Sequence, residues 1–120
     1  MNSSTLLSAT EPGGLPLGDA APTVEHGIVS RTLLAAPGVR VVLFSFAAGQ
    51  EMTEHTSTAR ALIQVLAGVC EFSVEGRPRT LQTGDLLHLP PRMPHALRAT
   101  EPLTMLLTLV PEPTPAGKVT

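Results

Sequence analysis

The feature that most constrains this chain is how often its apolar runs are interrupted. IVSRTLLA ends at Pro37-Gly38, VRVVLFSFA at Ala48-Gly49, ALIQVLA at Gly68, VCEFSV at Glu75-Gly76, RTLQ at Thr83-Gly84, LLHL at Pro90-Pro91 and LTMLLTLV at Pro111. Glycine reaches backbone angles that other residues avoid, and proline withholds an amide donor, so each interruption reads as a turn. No apolar stripe of helical period persists over successive turns, whereas short runs at this spacing mark all-β sandwiches and barrels. Within VCEFSVEG the period is two: Cys70, Phe72 and Val74 share one face, and Val69, Glu71, Ser73 and Glu75 the other. The expectation is an all-β, antiparallel barrel or double-sheet jelly roll, with Cys70 inside it.

The 120 residues allow one domain with a real core and leave no room for a second. Residues 1–25 hold Pro12, Gly13, Gly14, Pro16, Gly18 and Pro22 among small residues, and read as an arm, partly disordered or exchanged in a dimer. Residues 26–110 form the barrel, and 111–120 a proline-rich C-terminal tail. The outer face of ALIQVLA and its neighbours is too apolar to be left wet, so a homodimer is expected.

Charge and composition exclude several functions. Eight Lys and Arg stand against ten Asp and Glu, which leaves no basic stripe to neutralise a nucleic-acid backbone. The three phenylalanines, Phe44, Phe46 and Phe72, are accompanied by no Tyr or Trp, so any pocket is expected to be aliphatic. The single cysteine excludes an internal disulfide and a cysteine-based zinc site. The N-terminus lacks the charged and apolar regions of a secretory signal, and no window approaches the roughly 20 apolar residues that span a bilayer. A cytoplasmic protein without membrane or nucleic-acid partners is the expectation.

Histidine is the commonest side chain for metal ligation and for proton transfer near neutral pH, so His26, His55, His88 and His95 are the first candidates for chemistry. His26 follows the arm without a partner and reads as a surface residue. His55 follows a glycine turn in GQEMTEHTSTARALIQVLAG, and His95 follows the rigid PPRMP segment in GDLLHLPPRMPHALRA.

These two stretches resemble the paired motifs of the cupin superfamily, in particular its small single-domain conserved-barrel (type-2) members. The first motif has a glycine, a histidine six positions on, a second histidine two beyond it, a glutamate and a closing glycine. Gly49, His55 and Gly68 fall in place, while Ser57 stands where the second histidine would be and Ala61 where the glutamate would be. In the second motif Gly84, Pro90 and His95 match, while Arg92 replaces a glycine and Ala99 an asparagine. The resemblance covers residues 39–110 and implies a double-stranded β-helix.

It also implies a divalent metal, iron, manganese, zinc or nickel, held by the motif histidines and glutamate. Here His55 and His95 are the matching ligands, and His88 is a further candidate if a one-residue bulge turns it inward. With half the ligand set replaced, a metal would be weakly held. If one parity runs through the motif, His55, Ser57, Ala59, Ala61, Ile63 and Val65 face the interior and Gln64 the exterior. Glu51 shares that parity but falls in the turn. Met52, Met93 and Arg92 adjoin the motif turns and, with Ser57 and Ala61, are expected at the pocket.

Function is expected among three readings. The first is a cupin-barrel protein of unassigned activity that binds a small molecule near His55 and His95. The second is a metal-dependent dioxygenase or lyase acting on a small organic acid or phenol. The third is a structural or regulatory dimer.

Overall fold

The computed structural model describes residues 5–22 and 24–112. After a one-turn helix α1 (Leu17–Ala20), nine strands follow: β1 (Ile28–Ala36), β2 (Val39–Phe46), β3 (Glu51–His55), β4 (Ala59–Ala67), β5 (Val69–Val74), β6 (Arg77–Gln82), β7 (Leu86–Leu89), β8 (His95–Ala99) and β9 (Leu103–Pro111). They form two antiparallel sheets, one in the order β1-β2-β9-β4-β7 and one in the order β3-β8-β5-β6. The expected all-β jelly-roll architecture is what the chain adopts.

The apolar runs of the sequence correspond to seven of these strands. β3 and β8 are additions, short segments whose polar residues hide their period. The first motif is also not one continuous strand: it breaks at residues 56–58, where the chain crosses from the smaller sheet to the larger.

The main core lies between the sheets. Phe46, Ile63, Val65, Leu89, Leu103 and Met105 of the larger sheet face Cys70, Phe72, Leu97 and Ala99 of the smaller, all of them buried. Cys70 and Phe72 are inward as the alternation requires, with Cys70 fully enclosed. Fully burying a side chain such as Leu89 or Phe72 stabilises the fold by roughly 1.5–3 kcal/mol, and both sheets contribute to the same contiguous cluster.

A second, smaller cluster sits on the opposite face of the larger sheet. There Leu33 of β1 and Leu43 of β2 are buried beneath Leu7, Leu15, Leu17 and Ala20 of the N-terminal arm, with Val41, Leu66 and Leu106 around them. The Leu7 amide donates to the Leu33 carbonyl at 2.8 Å, and Arg31 donates to the Ala20 carbonyl at 3.1 Å. The arm therefore lies against its own chain and covers part of the apolar face from which association was expected. Farther along this face, Leu86 on edge strand β7 stays 62% exposed.

At the other end, β9 carries the barrel to Pro111, and Glu112 pairs with Arg60 at 3.3 Å. The rest of the expected tail, residues 113–120, lies outside the described residues, as do residues 1–4 and 23 of the arm. Among the described residues no helix is long and apolar enough to cross a membrane.

Candidate functional site

His55 closes β3 and His95 opens β8, and the two are direct register partners in the smaller sheet. Their rings are adjacent, with centroids 4.3 Å apart and planes tilted by 59°. This pairing depends on an irregularity. Met52 pairs with Leu97 and His55 with His95, so β3 spends two residues, Thr53 and Glu54, where β8 spends only Ala96. The extra residue is a β-bulge, and it lets Met52 and His55, of opposite parity, both face inward. It also sends Glu51 outward, exposed and opposite Arg98, so the parity Glu51 shares with His55 in the sequence does not survive.

Each ring is held by the same local device. His55 Nδ1 lies 2.8 Å from the carbonyl oxygen of Thr53, and His95 Nδ1 lies 2.8 Å from that of Met93, in both cases two residues earlier in the chain. A carbonyl only accepts, so Nδ1 carries the hydrogen in both rings and the neutral imidazole keeps a bare Nε2. His95 also stacks on Phe72, with centroids 6.0 Å apart and planes 9° from parallel. Burial holds the His95 imidazole below the usual histidine range; the bond to Met93 opposes this, and the adjacent His55 ring adds to it.

Beside the pair is a cavity of about 240 Å³. Ser57, Ala59, Ala61 and Ile63 line it, continuing the inward parity from His55 across the sheet crossing, and Gln64 is exposed on the other face as expected. Met52 and Met93 line it as anticipated. Its remaining walls come from Phe44, Phe72, Leu89, Pro90, Leu97, Met105, Leu107 and Leu109, and among the described residues no Asp, Glu, Lys or Arg side chain contributes. Phe44 and Phe72 make this wall partly aromatic where an aliphatic pocket was expected, and the alternation of Met105, Leu107 and Leu109 in LTMLLTLV places those three on one face. Ser57 Oγ accepts the Ala59 amide hydrogen at 3.1 Å, which leaves its own hydroxyl hydrogen free.

Two expected site residues lie elsewhere. His88 is exposed on the outer face of β7, pairs in register with Leu62, and accepts at Nε2 from Arg60 at 2.8 Å. The β4–β7 ladder runs from Ala61–Leu89 to Gln64–Leu86 without a shift, so no bulge turns His88 inward. The strand LLHL already carries this answer, because Leu87 and Leu89 take the inner face and leave His88 the outer.

Arg92 is exposed and does not line the cavity. Its contribution is through the backbone: at φ +64° it occupies the left-handed region, where the motif has glycine, and its amide donates to the Ser57 carbonyl at 2.6 Å. That bond ties the β7–β8 loop to the crossing between β3 and β4, and so fixes the two motifs together. At the end of β8, the Ala99 amide and carbonyl bond to Gln50 and Gly49 at 2.8 and 2.7 Å, closing the opposite end of the β3–β8 ladder.

The model of the cupin domain matches residues 42–110, more than half of the chain. The chain belongs to the cupin family. Among solved structures this cupin is similar to a conserved protein of unknown function from Streptococcus pyogenes, at 26% identity and a TM-score of 0.79 over 95% of this chain and 98% of that one. A cupin superfamily protein from Desulfitobacterium hafniense shares the fold, with a TM-score of 0.78 and 24% identity over 92% of this chain and all of that one. A third similarity is to the DMSP lyase DddQ from Ruegeria pomeroyi, at 26% identity and a TM-score of 0.68 over 75% of this chain and 50% of that one. No curated protein matches the sequence.

The family implies a metal centre, and the donors present decide whether one fits. Among the described residues no group of three or more His, Cys, Asp or Glu side chains converges on a point. His55 and His95 offer two ring nitrogens. Ser57 offers a hydroxyl and Ala61 nothing, and the carboxylate that would offset a dication is missing. Catalytic zinc sites use three protein ligands, and open iron sites two histidines with a carboxylate on one face. The residues here do not fit that centre.

Proposed function

We propose that this cupin binds a small molecule in the cavity beside His55 and His95, with at most a weak divalent-metal site there. One observation carries the reading: the two imidazoles line a cavity of about 240 Å³ with apolar walls, and neither Nε2 has a hydrogen-bond partner among the described residues. Concave, mostly apolar sites with a few oriented polar groups are where proteins hold small ligands. Histidines kept only as packed relics would be buried with no space next to them; His55 is exposed at the mouth of this cavity and His95 half-buried. The reading extends to a cytoplasmic protein that self-associates through the part of the outer sheet face left open around Leu86.

A metal-dependent lyase or dioxygenase is the second reading, favoured by the likeness to the DMSP lyase and by the opposed histidine pair. Two measurements separate the readings. Thermal unfolding with a panel of small apolar compounds should reveal a ligand, since one present at a hundred times its Kd stabilises the native state by about 2.7 kcal/mol. Elemental analysis of protein purified without chelator should show metal well below one equivalent. Stoichiometric metal that disappears in both His55→Ala and His95→Ala would replace the first reading with the second. Sedimentation at micromolar concentration tests association, and a monomer there refutes it.

A further inference from the structure

We propose that the cavity selects an uncharged, largely apolar molecule carrying a hydroxyl group, and that it holds this hydroxyl without a metal. The inference rests on the reading of the cavity as a binding site and names the chemical class that fits it. Three features of the cavity agree.

The first is hydrogen-bonding polarity. With Nδ1 of each ring donating to a backbone carbonyl, His55 and His95 present two bare Nε2 acceptors in a directly opposed pair. Ser57, whose oxygen already accepts the Ala59 amide, has a hydroxyl hydrogen left to give. Acceptors and one donor together complement a hydroxyl, which donates one hydrogen and accepts through its lone pairs.

The second is charge. A carboxylate entering this cavity would lose its hydration, meet no Lys or Arg among the described residues, and face the lone pairs of two ring nitrogens. Arg92, the cation of the adjoining loop, does not line the cavity. An ammonium ion would find no carboxylate.

The third is size and the placement of polarity. An apolar cavity of about 150 Å³ accommodates benzene, so 240 Å³ admits a six-membered ring with a few further carbons. The polar lining residues are His55, Ser57 and the neighbouring His95, while Phe44, Ile63, Leu97, Met105 and Leu107 supply hydrocarbon surface. A bound molecule therefore places its hydroxyl between the histidines and Ser57 and its hydrocarbon body against those walls.

The experiment uses four probes of nearly one shape, titrated calorimetrically into the full-length protein at pH 7.5 with chelator present: 4-methylphenol, toluene, 4-methylbenzoate and 4-methylbenzylamine. The expected order has 4-methylphenol about tenfold tighter than toluene, the value of one oriented hydrogen bond in an apolar site. Neither charged probe should bind measurably. In His55→Phe and in Ser57→Ala the advantage of the phenol over toluene should shrink while toluene binding persists; the second variant is small enough to leave folding intact. Equal affinity for phenol and toluene, or tighter binding of the benzoate or the amine, overturns the inference and leaves the binding site standing. If none of the four binds, the binding-site reading falls and takes this inference with it.

Discussion

Gly68→Ala should be among the most destabilising single-methyl additions available in this protein. Gly68 closes the first motif at the step from β4 to β5, where the chain passes between sheets, and its φ is +94°. A methyl group there would fall against the carbonyl oxygen of Pro102, far inside contact distance, and 3.0 Å from Leu103 Cα. Both obstacles are backbone, held by bonds from Thr100 and Glu101 to the Val69 carbonyl at 3.1 and 3.4 Å, so neither can swing aside. The left-handed conformation costs a non-glycine residue about 1–2 kcal/mol. Forcing atoms into a packed site adds about 1–3 kcal/mol. The sum, about 2–5 kcal/mol, is a large share of the 5–15 kcal/mol that typically holds a domain together. Gly84→Ala is the control, because Gly84 also has φ +94° but a methyl there meets nothing within 4 Å. It should lose only the conformational part. With urea m-values of about 1–3 kcal/mol/M, the two variants should differ in midpoint by on the order of 1 M. Equal midpoints would refute the steric argument and leave backbone conformation as the whole reason for glycine at this step.

Other perturbations read other parts of the molecule. Since His95 is held below its ordinary range, the unfolded chain binds its proton first. Stability should therefore fall as pH drops from about 6.5 through the lower folded value, and urea midpoints between pH 8 and pH 5 should show a shallower fall in His95→Gln. Burial, aided by Glu71, pushes the Cys70 thiol up to about 11, so native protein at pH 8 should resist a thiol-reactive disulfide that labels the urea-unfolded chain promptly. Leu17→Asp should detach the arm from Leu33 and Leu43, lowering the thermal midpoint and increasing binding of a hydrophobic dye, with the interior cavity unaffected. Combining Ser57→His with Ala61→Glu should restore the missing ligands. Elemental analysis should then find close to one equivalent of divalent metal, and chelator should lower the melting temperature of the double variant more than that of the parent.

The alternation in VCEFSV and ALIQVLA was sufficient to assign faces, because a strand between two sheets leaves no other way to bury its apolar residues. His55, Ser57, Ala59, Ala61 and Ile63 were placed on the cavity side for that reason. What escaped the sequence was whatever depends on a break in alternation. The bulge at Thr53 and Glu54 has no compositional signal, yet it decides that Met52 and His55 both point inward and Glu51 does not. β8, HALRA, is too short and too polar to stand out. The arm's leucines are spaced irregularly among prolines and glycines, so their position over Leu33 and Leu43 is visible only once the sheet beneath them exists. His88 is legible too: an isolated histidine invites a functional role, but the parity of LLHL denies it one inside the barrel.

The losses at Ser57 and Ala61 change the electrostatics of the cavity more than its shape. What aims His55 and His95 is independent of the lost ligands: a bulge, two backbone carbonyls and the Arg92–Ser57 bond. The imidazole pair can therefore persist intact after coordination is weakened. With a glutamate present, a dication would be partly balanced inside the barrel; without it, a bound dication would place uncompensated positive charge against hydrocarbon, at a cost that grows as the site dries. The remaining route to balance is an anion from solution. Metal and a carboxylate ligand should thus bind this cavity together or hardly at all, each raising the affinity for the other by the same factor. A neutral hydroxyl compound has no such dependence. The replaced residues therefore separate two chemistries that the same pair of histidines could serve: one needs a metal and an anion at once, and the other needs only the hydrogen bonds already oriented in the fold.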